Sequence, residues 1–178
     1  MVNRAVFLDR DGVINRAEVR DGKPYAPRKI EDFIILPGVD DAIVNIDALG
    51  YLVVVVTNQP DINNKLVNPR EIDAMHDRLS HLPIKKVYIC PHTSYENCFC
   101  RKPKPGMLFR ARDELDINLS DSYMVGDRQS DVQASVAAGC KSIFIDYGYR
   151  ETGLQNPDYI CDNLCNFYQY LLGAVNDR

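Results

Sequence analysis

No apolar run in this sequence approaches the roughly 20 residues that cross a bilayer, so no membrane span is expected. A positive charge balance is missing too. The chain carries −4 at pH 7, which gives no long-range attraction to nucleic acid or an anionic membrane, although a local basic patch can still bind a small anion. A clear basic groove and a set of stacking aromatics for single strands are likewise lacking. The opening MVNRAVFLDRDGV has one early Arg and then a strand with acids, unlike a signal peptide. A cytoplasmic location is the expectation. There are no internal repeats, linkers or low-complexity stretches.

What is present suits one globular unit. The 178 residues, 46% hydrophobic and 26% charged, are enough for one domain over 1–178 and short for two. Short apolar runs at Ala5–Leu8, Leu52–Val56, Lys86–Ile89, Tyr123–Val125 and Ser142–Ile145 are rich in Val and Ile and do not alternate. Strands buried on both faces of a parallel sheet read this way. Helical patterns lie between them at Val39–Leu49, Pro69–Leu82, Gly106–Leu115 and Ser130–Ala138, with a last one at Asn163–Leu172. Asn68 as cap and Pro69 at the first helical position mark one start. The alternation predicts an α/β fold with a doubly wound, Rossmann-like parallel sheet. Residues 12–35 fit neither period and are expected to form an irregular flap.

Ligands of such sheets bind outside the carboxyl ends of the strands. Those ends read Asp9-Arg10-Asp11-Gly12, Thr57-Asn58-Gln59, Arg101-Lys102-Pro103 after the third strand, and Gly126-Asp127 with Asp131 a turn later. An Asp-x-Asp pair alone is commonly a solvated turn, and Thr at a strand end says little. Together, three carboxylates, a hydroxyl and an ammonium suit phosphoryl transfer. An attacking carboxylate needs its charge neutralised, which Mg²⁺ on oxygen ligands does. A covalent aspartyl-phosphate splits the reaction into two displacements. A second carboxyl can protonate the leaving alkoxide and then deprotonate water. Thr57 and Lys102 would stabilise charge on the transferring oxygens. Asp131 either supports the reacting groups from behind or only caps or orients the helix that starts beside it.

The six cysteines are unevenly placed. Cys90, Cys98 and Cys100 crowd around His92, while Cys140, Cys161 and Cys165 sit apart. In a cytosolic chain such a cluster reads as metal ligands before disulfides. Three Cys and one His make a closed tetrahedral set for structural Zn²⁺; the bland alternative is a reduced surface loop. The loop leads directly into Arg101 and Lys102.

FLDRDGVIN, VVVTNQ, CRKPKPGM and YMVGDRQSDVQASVAAG resemble, in order, the four sequence motifs of haloacid dehalogenase-superfamily phosphatases. The likeness runs over roughly residues 4–153. Its strongest branch resemblance is to the heptose-1,7-bisphosphate phosphatases, with the histidinol-phosphate phosphatases near. Both branches carry a comparable metal loop. The resemblance implies Asp9 as nucleophile and Asp11 as general acid/base. It implies Mg²⁺ on the Asp9 carboxylate, the Asp11 backbone carbonyl and Asp127, with Thr57 and Lys102 on the phosphoryl group. Arg101 would help recognise a small phosphorylated substrate, with Asn58 and Gln59 beside it.

With Thr57 lying 48 positions after Asp9 and Lys102 45 positions after Thr57, no room remains for an inserted cap domain. A capless, open site on a monomer is expected. The resemblance frays at Pro60-Asp61-Ile62, where the heptose branch has a small residue, Gly and an aliphatic one, and in a longer flap. There Arg16, Arg20, Lys23 and Arg28 are candidates to grip a second phosphate. Cysteine-based phosphatase chemistry is excluded because no Cys is followed by Arg six residues later, and only three histidines exist. A zinc-stabilised binding module without catalysis is the alternative of a different class, and histidinol phosphate the alternative substrate.

Overall fold

A computed structural model describes residues 2–151 and 155–176. Strands β1 (Ala5–Leu8), β4 (Leu52–Asn58), β5 (Ile84–Cys90), β6 (Tyr123–Gly126), β7 (Lys141–Ile145) and β8 (Tyr159–Cys161) form one sheet. Its order is β5-β4-β1-β6-β7-β8, and every pairing is parallel. The remaining strands, β2 (Glu18–Arg20) and β3 (Lys23–Tyr25), pair antiparallel as a separate hairpin.

The sheet has no polar face because both faces are covered. In β1, Val6 and Leu8 point into one core with helices α1 (Val39–Ala48), α2 (Pro69–Asp77) and α5 (Leu164–Asn176). Ala5 and Phe7 point into the other, with α3 (Gly106–Leu115) and α4 (Gln129–Ala138). This is the doubly wound arrangement that the unalternated strands predict. The chain turns to opposite sides from β1, through β4 on one side and β6 on the other. A crevice therefore opens between the ends of β1 and β6, where the strand order switches.

The flap differs from the irregular segment expected. Its Asp21-Gly22 pair has φ of 51° and 73°, the left-handed pair of a two-residue hairpin turn. That dipeptide was a readable hairpin signal. The Arg150 N–H donates to Gly22 O at 2.9 Å, which ties the hairpin to the segment after β7. Helix α2 ends at Asp77 rather than Leu82. Residues 78–82 continue as tight turns ahead of Pro83, whose ring disfavours helix in the residue before it. The three-residue β8 was not anticipated; so short an edge strand carries little periodic signal.

Candidate active site and metal loop

Four strand ends converge as the sequence implies. Lys102 is 2% exposed, and its Nζ lies 2.8 Å from Asp9 Oδ1 and 2.7 Å from Asp131 Oδ1. It also donates to Val56 O at 2.8 Å. Two carboxylates and one carbonyl thus surround the ammonium. Burial alone would lower the Lys102 pKa, but Asp131 and Asp9 outweigh it and hold the pKa above its usual value. Asn58 fixes the backbone beneath this ammonium: its Nδ2 donates to Lys102 O at 3.0 Å and its Oδ1 accepts from Lys102 N at 3.1 Å.

Asp131 does two jobs. Its Oδ2 accepts from Arg128 N at 3.0 Å, capping α4, while Oδ1 meets Lys102. The close packing explains Gly126, where a Cβ would sit 2.2 Å from Asp131 Cβ.

Asp127 is fully buried, and neither carboxylate oxygen has a well-formed hydrogen bond among the described residues, although the Tyr149 hydroxyl lies beside it. Burial, then the charges of Asp9 and Asp131, drive its pKa well above the ordinary value. Asp9 is raised to about 6, chiefly by burial and against the pull of Lys102. The charge of Asp127 in turn raises the pKa of Tyr149, whose own burial is the larger cause. Oxygens of Asp9, Asp127 and Asp131 lie within 4.8 Å of one another. Buried anions of this kind call for a cation. At Gly12, φ is +95° and a Cβ would lie 1.9 Å from Asp127 Oδ2, so the chain leaves that flank clear. An orphaned carboxylate among hard oxygen donors fits Mg²⁺. Asp9 and Asp127 are the side chains that would hold it, with the Asp11 carbonyl as the third group inferred from sequence.

These residues floor a cavity of about 460 Å³. Asp9, Asp11, Asn58, Gln59, Arg101, Lys102, Asp127 and Asp131 line it. Thr57 is buried beneath and accepts from Gln59 Nε2 at 3.0 Å. One wall is the flap, through Ala17, Pro24, Tyr25 and Ala26.

The flap cations lie elsewhere. Arg16 lines a separate cavity of about 350 Å³ with Tyr147 and Tyr149. Arg20 pairs with Glu18 on the exposed hairpin. Arg28 pairs with Asp61 at 2.6 Å, leaving the Asp61 carboxylate to reach the cavity wall. The cation missed from sequence is Arg128, which lines the cavity and is held by Glu151. Its position next to Asp127 was the available signal.

Beside the site, the four predicted metal ligands meet. Cys90 Sγ is 3.6 Å from His92 Nδ1, 3.6 Å from Cys98 Sγ and 3.3 Å from Cys100 Sγ. His92 Nδ1 and Cys100 Sγ are 3.2 Å apart, and Cys100 and Cys98 3.5 Å. Donors around a tetrahedral Zn²⁺ stand about 3.5–3.8 Å from each other, so the set is slightly tighter than a zinc site and opens to one with shifts of a few tenths of an ångström. Strand pairing starts it, since Cys90 lies in register with Asn58. The Arg101 guanidinium then donates back to His92 O at 3.1 Å.

Residues 99–167 match the HAD-hydrolase-like family model. The chain is 32% identical, over 95% of each chain, to the D-glycero-beta-D-manno-heptose-1,7-bisphosphate 7-phosphatase of Neisseria meningitidis. It belongs to the haloacid dehalogenase-like hydrolase family. A Burkholderia mallei relative, named for the alpha anomer of the same sugar, is 40% identical over 78% of this chain and 77% of its own. Among solved structures, the D,D-heptose 1,7-bisphosphate phosphatase from B. bronchiseptica, complexed with magnesium and phosphate, superposes with a TM-score of 0.83 at 30% identity. That match covers 96% of this chain and 99% of the other. Family membership accords with the sheet order and with the carboxylates flanking the switch point.

The zinc set and the acid cluster each have a measurable consequence. Protein purified without chelator is expected to carry about one Zn²⁺ per chain by elemental analysis. Stripping it, or replacing Cys98 by Ser, should lower Tm, because metal binding contributes directly to folding of the loop; a zinc-free preparation of undiminished stability would refute this.

The second concerns the acid cluster. Asp9 has a higher pKa folded (about 6) than unfolded (3.8), so the folded state binds more protons between those values. Without metal, stability therefore falls as pH rises through that window. Added Mg²⁺ should raise Tm at pH 7 more than at pH 4. Asp127→Asn should raise the metal-free Tm at pH 7 and blunt the Mg²⁺ response. A Mg²⁺ effect equal at both pH values would count against the cluster as the cation site.

Proposed function

We propose that this chain is a Mg²⁺-dependent phosphatase acting as one domain on a small sugar bisphosphate, with D-glycero-D-manno-heptose 1,7-bisphosphate hydrolysed to the 1-phosphate. The observation that carries the reading is the buried Asp9–Lys102–Asp131 group beside the orphaned Asp127 at the switch point. Relatives named for both anomers of this sugar support the substrate. Six free thiols suit a reducing compartment, and no helix among the described residues is long and apolar enough to cross a membrane. A cytoplasmic monomer is the working form proposed.

In the first step the Asp9 carboxylate attacks phosphorus. The Asp9 O–P bond forms as the ester P–O bond breaks, and Asp11 gives its proton to the leaving alkoxide. In the second, water loses a proton to Asp11 and attacks the same phosphorus, freeing Asp9 and inorganic phosphate. Lys102 offsets the negative charge of Asp9 and fixes the oxygen that it meets at 2.8 Å. Mg²⁺, when bound, neutralises charge between nucleophile and phosphate so that two anions can approach. The second phosphate of a bisphosphate meets Arg101 and Arg128, the arginines of the cavity wall. Guanidinium geometry matches phosphate in a bidentate manner.

Asp9→Asn is expected to reduce turnover with Mg²⁺ to the uncatalysed background while leaving Tm near that of the parent. Substantial residual activity would end the covalent mechanism.

The substrate is tested separately. In a panel of esters, kcat/KM should be higher for heptose 1,7-bisphosphate than for the corresponding monophosphate or for histidinol phosphate. Arg101→Ala and Arg128→Ala should erode that preference while activity on a small generic ester persists. A higher kcat/KM on histidinol phosphate than on every sugar bisphosphate would overturn the substrate but not the chemistry.

A further inference from the structure

Arg10 is the largest side chain with no solvent exposure, and nothing in the phosphoryl-transfer steps uses it. A buried guanidinium is costly unless its donors and charge are met. Here they are met by the acid/base candidate. Arg10 Nη2 donates to Asp11 Oδ1 at 3.0 Å and Oδ2 at 3.1 Å, and Nε donates to Oδ1 at 3.1 Å. Its backbone N–H donates to Asp9 Oδ1 at 2.8 Å, so one residue touches both carboxylates. The remaining nitrogen, Nη1, lies 3.2 Å from His76 Nε2 on α2, and the guanidinium carbon sits 5.6 Å from the centre of the Phe33 ring.

The arrangement locks in two directions. A tight turn, with Ile14 N and Asn15 N both donating to Arg10 O, brings Asn15 Nδ2 to 3.0 Å from Asp11 Oδ1. From the cavity wall, Gln59 Nε2 meets Oδ2 at 2.6 Å. Arg10 supplies the charge and the planar fork, and fixes the tilt of the carboxylate. His76 fixes Arg10 from the far side. Burial, then the Arg10 charge, lower the His76 pKa to about 4. The ring is thus neutral at pH 7, and Nε2 can accept from Nη1 with the proton on Nδ1.

We propose that Arg10, braced by His76, is a positioning residue that aims the Asp11 carboxyl at the leaving-group oxygen. This rests on the acid/base reading of Asp11. A lysine cannot replace the fork, because an ammonium is a point charge that does not define a carboxylate plane. The consequence is specific to leaving groups. A misaimed acid slows departure of a poor leaving group and matters little to a good one, whereas general damage to the fold slows both alike.

The test compares Arg10→Lys, His76→Phe and Asp11→Asn on an alkyl phosphate and on nitrophenyl phosphate with Mg²⁺, read as kcat/KM. That constant reports the steps through the first displacement, before the hydrolysis common to all substrates. Asp11→Asn should lose about 10²–10⁴-fold on the alkyl ester, the usual scale of acid–base catalysis. Arg10→Lys should lose about 10²-fold there, as expected for a small misplacement, and only about 3-fold or less on the nitrophenyl ester. His76→Phe should show the same bias, more weakly.

If Asp11→Asn is biased but Arg10→Lys and His76→Phe lose equally on both esters or on neither, Arg10 is structural and the proposal fails. If Asp11→Asn itself is unbiased, the acid/base reading fails instead. Should Arg10→Lys not fold, His76→Phe decides: a biased loss upholds the proposal, and an unbiased one overturns it.

Discussion

The architecture of the site depends on one buried cation. Lys102 enters a pocket of carboxylates at three strand ends and meets Asp9, Asp131 and the Val56 carbonyl at 2.7–2.8 Å. Without it, Asp9 and Asp131 would add to Asp127 as uncompensated charges in a site of low exposure. Much of the surrounding structure serves its placement. Asn58 grips its backbone, Asp131 is held in position by capping α4, and Gly126 clears the space that Asp131 fills.

The metal loop extends the same constraint. Lys102 does not lie on a strand; it follows a loop, and loops hold position poorly unless tied. Cys90, in register with Asn58, begins the four-ligand cluster, and Cys100 ends it two residues before Lys102. Zinc at this cluster would stiffen the approach to Lys102 without touching the carboxylates it meets. Gly106 allows α3 to start against the backbone of Phe99, where a Cβ would lie 2.4 Å from the carbonyl oxygen. The lysine is thereby bounded by metal loop on one side and helix on the other.

Electrostatic balance, more than shape, separates the roles of the acids. Asp11 is met by Arg10, Asn15 and Gln59, Asp9 and Asp131 by Lys102, and Asp127 by no cation at ion-pair distance and no well-formed hydrogen bond among the described residues. Four carboxylates within a short reach thus have distinct environments. A buried carboxylate without a paired cation invites one.

The sequence by itself determined the strand–helix alternation, the parallel sheet and the four chemical strand ends, because buried Val/Ile runs and Asp, Thr, Lys and Cys residues at their ends are local patterns. It also made the Cys90, His92, Cys98 and Cys100 cluster legible, since eleven residues hold all four. Only the tertiary structure decided which cations face the cavity. Arg16, Arg20 and Arg28 stood beside Arg101 as candidate grips on a second phosphate, yet Arg16 lines another cavity, Arg20 pairs with Glu18 on the hairpin and Asp61 engages Arg28. The partnership of Arg10 with His76, 66 residues apart, was equally hidden. Side-chain charge is a property of the residue, but its target depends on which elements pack together, and that is settled by burial of the two cores.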